Sequence, residues 1–189
     1  MKLLCSICAV GSFAWAAIAF EFRRVAEQIP EVGSVVVCVL QDARASYAFR
    51  PPHDHDVTFD ESSKTATLAP KKDPKSWITI RLASSTNSPS AGLPAYVQSA
   101  YRCDVQEQFA MFATGHEAQA ADFMDRSAGA VPLKRRIALL KSPSGTFEFL
   151  LSSRTDHFES AEQSFSQLIG SFEIRSPQAS EKPAAEQPR

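Results

Sequence analysis

The stretch at 133–174, LKRRIALLKSPSGTFEFLLSSRTDHFESAEQSFSQLIGSFEI, decides how the rest of the chain is read. Two runs rich in aliphatic and aromatic residues flank Ser142, Pro143, Ser144 and Gly145, whose Pro and Gly suit a tight reversal, so the first half predicts a β-hairpin. In its second strand Phe147, Phe149 and Leu151 share one face, and Leu150 adds apolar surface to the other. The second half changes period. Phe158, Ala161, Phe165, Leu168, Ile169 and Phe172 recur at helical spacing and form a single stripe that has to face a core. Asp156 and Glu159 stand three apart as a capping box requires, and Gly170 is placed to help stop the helix. Phe172 and Ile174 then predict a short continuation in another conformation.

Working outward, the segments ASYAFRPP, KTATLAP and SWITIRLAS read as three strands; in the last, Ile78, Ile80 and Leu82 alternate with Thr79 and Arg81. After a loop, Pro94 is able to open a helix over LPAYVQSAYRCDV, with Leu93, Val97, Ala100 and Tyr101 on one side. TGHEAQAADFMDRSAG is ambiguous. Its Ala, Gln and Glu content favours helix, with Thr114 and Glu117 as a capping box, whereas Gly115 is equally good as the turn of a hairpin.

The two ends carry a different signal. MKLLCSICAVGSFAWAAIAFEF has one lysine before an uncharged apolar run ending Ala17-Ile18-Ala19, which predicts a secretory signal peptide over 1–19 with cleavage after Ala19. A retained anchor is the alternative, since the run approaches the ~18 residues at which a spanning helix becomes possible. Cys5 and Cys8 lie inside the run, so neither is placed to carry a lipid. SPQASEKPAAEQPR, 176–189, predicts a disordered tail. Residues 20–175 remain as one domain, with the structure of 20–45 left open. The formal net charge is −1 and the basic residues are scattered, so neither a nucleic-acid footprint nor a polybasic membrane patch is indicated.

The order of elements resembles the PsbP-like group of exported proteins, which includes photosystem II extrinsic subunits and DcrB-type bacterial envelope proteins; a Ran-binding nuclear transport factor shares the fold. YAFRPP, WITIRL, PAYV, TGHEAQAADFM, KRRIALL, TFEFLL and FESAEQSFSQLIGSF carry the resemblance over residues 46–175. It implies an α/β (α+β) fold, an antiparallel β-sheet sandwiched by helices with a C-terminal amphipathic helix, and it tips GHEAQAADFM toward strand. The chain departs from the group at HDHDV, where a Trp is usual soon after the strand-ending Pro, and 21–45 has no counterpart.

For chemistry, RPPHDHDVTFD is the most suggestive run. If it were extended, His53 and His55 would point the same way and could start a zinc or copper site, with Asp54 and Asp56 as oxygen donors. A closed site needs three or four ligands, and His116 and His157 have no ligand spacing around them, so the run is expected to be a solvated turn leading into VTF. Cys38 and Cys103 leave open one disulfide or two separate thiols. KRR at 134–136 reads as a strand's solvent face and edge protection, or as a contact for an acidic partner. Glu159 and Glu162 read as the solvated face of the last helix. There is no Gly-x-Ser-x-Gly elbow and no Gly-rich phosphate loop. No catalytic residue, metal ligand or cofactor is therefore assigned. The expected function is a non-catalytic binding or envelope accessory module, exported to the periplasm or outside the cell and working with another protein or envelope component. The alternative is a metal-binding protein or metal-dependent enzyme centred on His53 and His55.

Overall fold

The computed structural model describes residues 20–31, 33–72, 75–83, 92–127 and 131–175. The expectations for 1–19 and 176–189 fall outside them. Among the described residues eleven strands and two α-helices follow one another: β1 (Glu21–Ile29), β2 (Gly33–Gln41), β3 (Ser46–Phe49), β4 (His55–Asp60), β5 (Thr65–Pro70), β6 (Ser76–Leu82), α1 (Leu93–Tyr101), β7 (Val105–Ala113), β8 (His116–Asp125), β9 (Leu133–Ser142), β10 (Gly145–Arg154), α2 (Phe158–Gly170) and β11 (Glu173–Arg175). They form two antiparallel sheets, a small one in the order β1-β2-β3-β11 and a large one in the order β4-β5-β6-β10-β9-β8-β7.

The hairpin read from the sequence is β9–β10, and Pro143 and Ser144 are its two loop residues. Both faces of β10 are buried, for different reasons. Phe147, Phe149 and Leu151 join the main core with α2 and the small sheet, whereas Leu150 belongs to a second cluster with Ile137, Leu139, Phe123 and the α1 residues Leu93, Tyr96 and Val97. The large sheet thus carries α1 on one face, and α2 together with the small sheet on the other. The expected α+β arrangement of antiparallel strands with two helices is present, and to it is added a second, four-stranded sheet beside α2. The unassigned segment 21–45 supplies two strands, and with β3 and β11 they close the side of the core that α2 leaves open.

Aromatic rings knit the two sheets. Tyr47 and Phe147 lie 4.5 Å apart, Phe149 and Phe172 4.9 Å apart and perpendicular, and Phe22 stacks on Phe59 at 5.1 Å. Edge-to-face and offset pairs of this kind add to the stability that burial alone gives. The Tyr47 hydroxyl also sits 2.5 Å from Ser144 Oγ and accepts from the Ser144 N–H, which fastens the β9–β10 turn to the small sheet.

The helical stripe is confirmed: Phe158, Ala161, Phe165, Leu168 and Ile169 are the buried residues of α2, and Phe172 is buried just beyond it. Its ends differ from expectation. The N-cap is His157 with no side-chain cap bond, because Thr155–His157 forms a 3₁₀ turn and Asp156 pairs with Arg154 at 3.2 Å instead. Gly170 is the last helical residue, and Ser171 Oγ closes the end by donating to the Leu168 carbonyl at 2.8 Å. The ambiguous segment 114–129 resolves in favour of the hairpin: Thr114 and Gly115 make a turn, Gly115 at φ +74°, and β8 follows.

Cys38 is buried in the main core, while Cys103 packs against the α1 cluster on the opposite face of the large sheet. The two are separate free thiols.

Candidate functional site

β3 is cut short by its own sequence. Its register with β2 runs from Gln41↔Ser46 to Cys38↔Phe49, and the next partners in line for β2 would be Arg50, Pro51 and Pro52. Proline has no N–H to give to a ladder, and successive prolines hold the chain in a course that leaves the sheet. The Arg50 N–H and carbonyl both turn away to Ser171 Oγ, at 3.0 and 3.3 Å. β2 nevertheless continues to Gly33, paired with β1 through Ile29↔Gly33. The β1–β2 hairpin therefore overhangs the core, with Val25 and Val36 exposed.

The space vacated by β3 is a cleft of about 540 Å³, walled by Val35, Val36 and Cys38 of the hairpin on one side and by the 50–56 turn and Val57 on the other. Its charged groups are Arg24, Arg50, Lys71, Asp54 and Asp56. Arg24 donates from its guanidinium across the cleft to the Val57 carbonyl. Lys71 Nζ stands 4.0 Å from Asp56, and the Arg50 guanidinium has neither ion pair nor hydrogen bond among the described residues. The Cys38 thiol at the inner end is pushed up to about 11 by burial, so it is held protonated and is a poor nucleophile.

His53 and His55 line the same cleft, but the run between them is a turn and not the extended course that would point both rings the same way. Asp54 takes a left-handed φ of +60°, and the His55 N–H bonds back to the Pro52 carbonyl at 3.2 Å, closing a turn across 52–55. Asn and Asp tolerate that conformation better than most residues. His53 Nδ1 meets Asp54 at 3.1 Å, and His55 Nδ1 lies 3.0 Å from the His53 carbonyl oxygen. The turn is as expected, except that His55 already belongs to β4. Among the described residues no three His, Cys, Asp or Glu side chains converge on a point that could hold a metal ion. Calorimetry of metal-stripped protein with zinc or copper is expected to give no one-to-one submicromolar isotherm. Such an isotherm, abolished by His53→Ala with His55→Ala, would install the metal reading.

Two buried ion networks were not foreseen. β9 is an inner strand, so KRR is neither an edge nor a solvent face. Arg136 grips Asp122, its direct cross-strand neighbour, through Nε–Oδ1 at 2.6 Å and Nη2–Oδ2 at 2.9 Å, and reaches Glu162 on α2 at 2.5 Å. Its guanidinium lies 4.6 Å from the centre of the Phe109 ring. Arg135 pairs with Asp125 at 2.8 Å. On the α1 face, Glu148 is fully buried and accepts from Arg81 Nε at 2.7 Å and from the Tyr96 hydroxyl at 2.5 Å. Burial and the adjacent carboxylate raise the Tyr96 and Tyr101 hydroxyls, which keeps both protonated as donors. Sequence gives these pairs a faint signal, a charge set among apolar residues at in-facing positions of a strand. A second cleft of about 750 Å³ lies past the end of α1, lined by Tyr101, Cys103, Asp104, Asp125 and Arg126 among others. Its Asp125 is already held by Arg135 and by the Ser127 N–H and hydroxyl.

No family model matches this sequence, and no characterised protein is detectably similar to it.

Proposed function

We propose that this chain is an exported, non-catalytic binding module of the envelope accessory kind, built on a PsbP-like domain over residues 46–175, and that it engages another protein at the cleft under the β1–β2 hairpin. The observation that carries the reading is the overhang itself. A nine-residue strand continues past the last residue of its neighbour and leaves apolar side chains and the cations Arg24, Arg50 and Lys71 around an open space. Exposed apolar groups bordered by polar ones mark interaction surfaces more often than chance. The non-catalytic part is supported by the use the fold makes of its buried charges: Glu148, Asp122 and Asp125 are each taken up by arginine side chains that tie neighbouring strands together. The PsbP-like part is supported by the antiparallel sheet with helices on opposite faces and by the terminal helix followed by a short strand.

One experiment reads both export and binding. The full chain, with a photocrosslinking residue replacing Val36, is expressed in the native host, irradiated and recovered for intact-mass and peptide analysis. The expected product begins at Phe20 and carries a discrete protein adduct at position 36, while the same residue at exposed Thr58 yields none. A chain still bearing residues 1–19 would remove the cleaved-signal reading, and absence of an adduct would remove the binding module.

A further inference from the structure

We infer that the cleft accepts an extended acidic segment of a partner protein as an added β-strand, paired with the outer half of β2 in the place that β3 gives up. This rests on the binding-module reading and names its geometry and its partner's chemistry.

The direction of the backbone groups follows from the ladder. In an antiparallel strand the N–H and C=O of one residue point to the same side, and the side alternates with each residue. Arg50 sends both toward Ser171, next to β11. Phe49 and Tyr47 of β3 therefore send theirs toward β2, where they meet Cys38 and Leu40. By the same two-residue period Val36 and Ser34 direct their N–H and C=O toward the cleft, where the partner in register with Val36 would be Pro51, a residue without an N–H. The free edge from Gly33 to Val37 is five residues, about 17 Å at ~3.3 Å per residue. The opposite wall is also an edge: β4 is the terminal strand of the large sheet, and its Val57 carbonyl is turned outward enough to accept from Arg24. An entering strand therefore meets unpaired backbone groups along Val36, which is how strand addition acquires affinity.

Charge selects the partner. Arg24, Arg50 and Lys71 border the opening against Asp54 and Asp56, and Asp54 is engaged by His53. Arg50, which shares its charge only at longer range with Glu27, and Lys71, loosely held at 4.0 Å, are placed to meet carboxylates on a peptide whose alternate apolar side chains lie along Val36, on the face of β2 that also carries Cys38. A basic or proline-rich segment lacks one or the other requirement.

The test uses a fluorescein-labelled octapeptide of alternating Asp and Val, titrated into the full chain by anisotropy. Three comparisons accompany it: the same peptide N-methylated at alternate backbone nitrogens, a Lys/Val counterpart, and a protein variant carrying Arg50→Glu and Lys71→Glu. Saturable binding is expected, weakened at least tenfold by backbone methylation and at least tenfold by the double substitution, with no saturation by the Lys peptide. In ¹⁵N spectra the Val36 amide should be among the resonances that move. Equal binding of the methylated peptide would show plain charge attraction and overturn strand addition, as would failure of the acidic peptide to bind. If that failure coincides with a crosslinked adduct at position 36, strand addition falls while the binding module stands.

Discussion

Phe165→Ala is expected to lower the free energy of unfolding by about 3 to 5 kcal/mol, the range for truncating a buried aromatic when the surroundings cannot collapse into the space left behind. Phe165 is completely buried in the middle of the α2 stripe, between Ala161 and Leu168 along the helix, and faces a core built from both sheets. Each sheet is held by its own ladders and the two are joined by aromatic contacts and by the Tyr47–Ser144 hydrogen bond, so the helix has little room to sink inward. The measurement is the urea midpoint at constant slope. Phe112→Ala is the control: that side chain is 67% exposed on edge strand β7 and should cost less than about 0.5 kcal/mol. Equal midpoints for the Phe165 variant and the parent would mean that the stripe does not contact the core.

Arg136→Met is expected to cost a similar amount, about 3 to 5 kcal/mol, for an electrostatic reason. Removing the guanidinium leaves the Asp122 carboxylate, only 5% exposed, with Lys134 at 3.5 Å in place of a two-pronged grip, and strips Glu162 of its link to the sheet. The informative arm is the double variant Arg136→Met with Asp122→Leu. Replacing both partners of a buried pair with apolar residues of similar volume is commonly neutral or stabilising, so the double variant should recover most of the loss. Additive costs in that cycle would show that the two side chains do not act as a pair.

Much of the fold was legible because single stretches carried complete signals. The α2 stripe and the β9–β10 hairpin each combine a clear period with local turn chemistry, and the alternation at Ile78, Ile80 and Leu82 fixed which face of β6 is inward. The small sheet was not legible. β1 is largely exposed and reads as neither period, and β11 has three residues; both exist because neighbours far along the chain supply their ladders. Asp156 and Glu159 show the limit of motif reading. The spacing of a capping box is present, but a 3₁₀ turn intervenes and Arg154 takes the aspartate. KRR misled for the opposite reason: a run of cations looks solvated until the carboxylates that neutralise it, Asp122, Asp125 and Glu162, are brought in from two other elements. The candidate site was half visible. Pro51 and Pro52 announce where β3 must end, but nothing local reveals that β2 continues past that point.

The small sheet has a consequence for the order in which the molecule assembles. Its strand β3 is flanked by β2, which precedes it, and by β11, whose Arg175 bonds Glu27 at 2.7 Å across 148 positions of sequence. A chain that emerges from its amino end cannot finish this sheet until almost its last described residue is available, and such distant pairings are slow to form because a long loop has to close first. Until then the inner faces of β2 and β3 and the aromatic cluster behind them lack one of their borders. The polypeptide is thus kept open through its own synthesis by its topology, with the final three-residue strand serving as the latch.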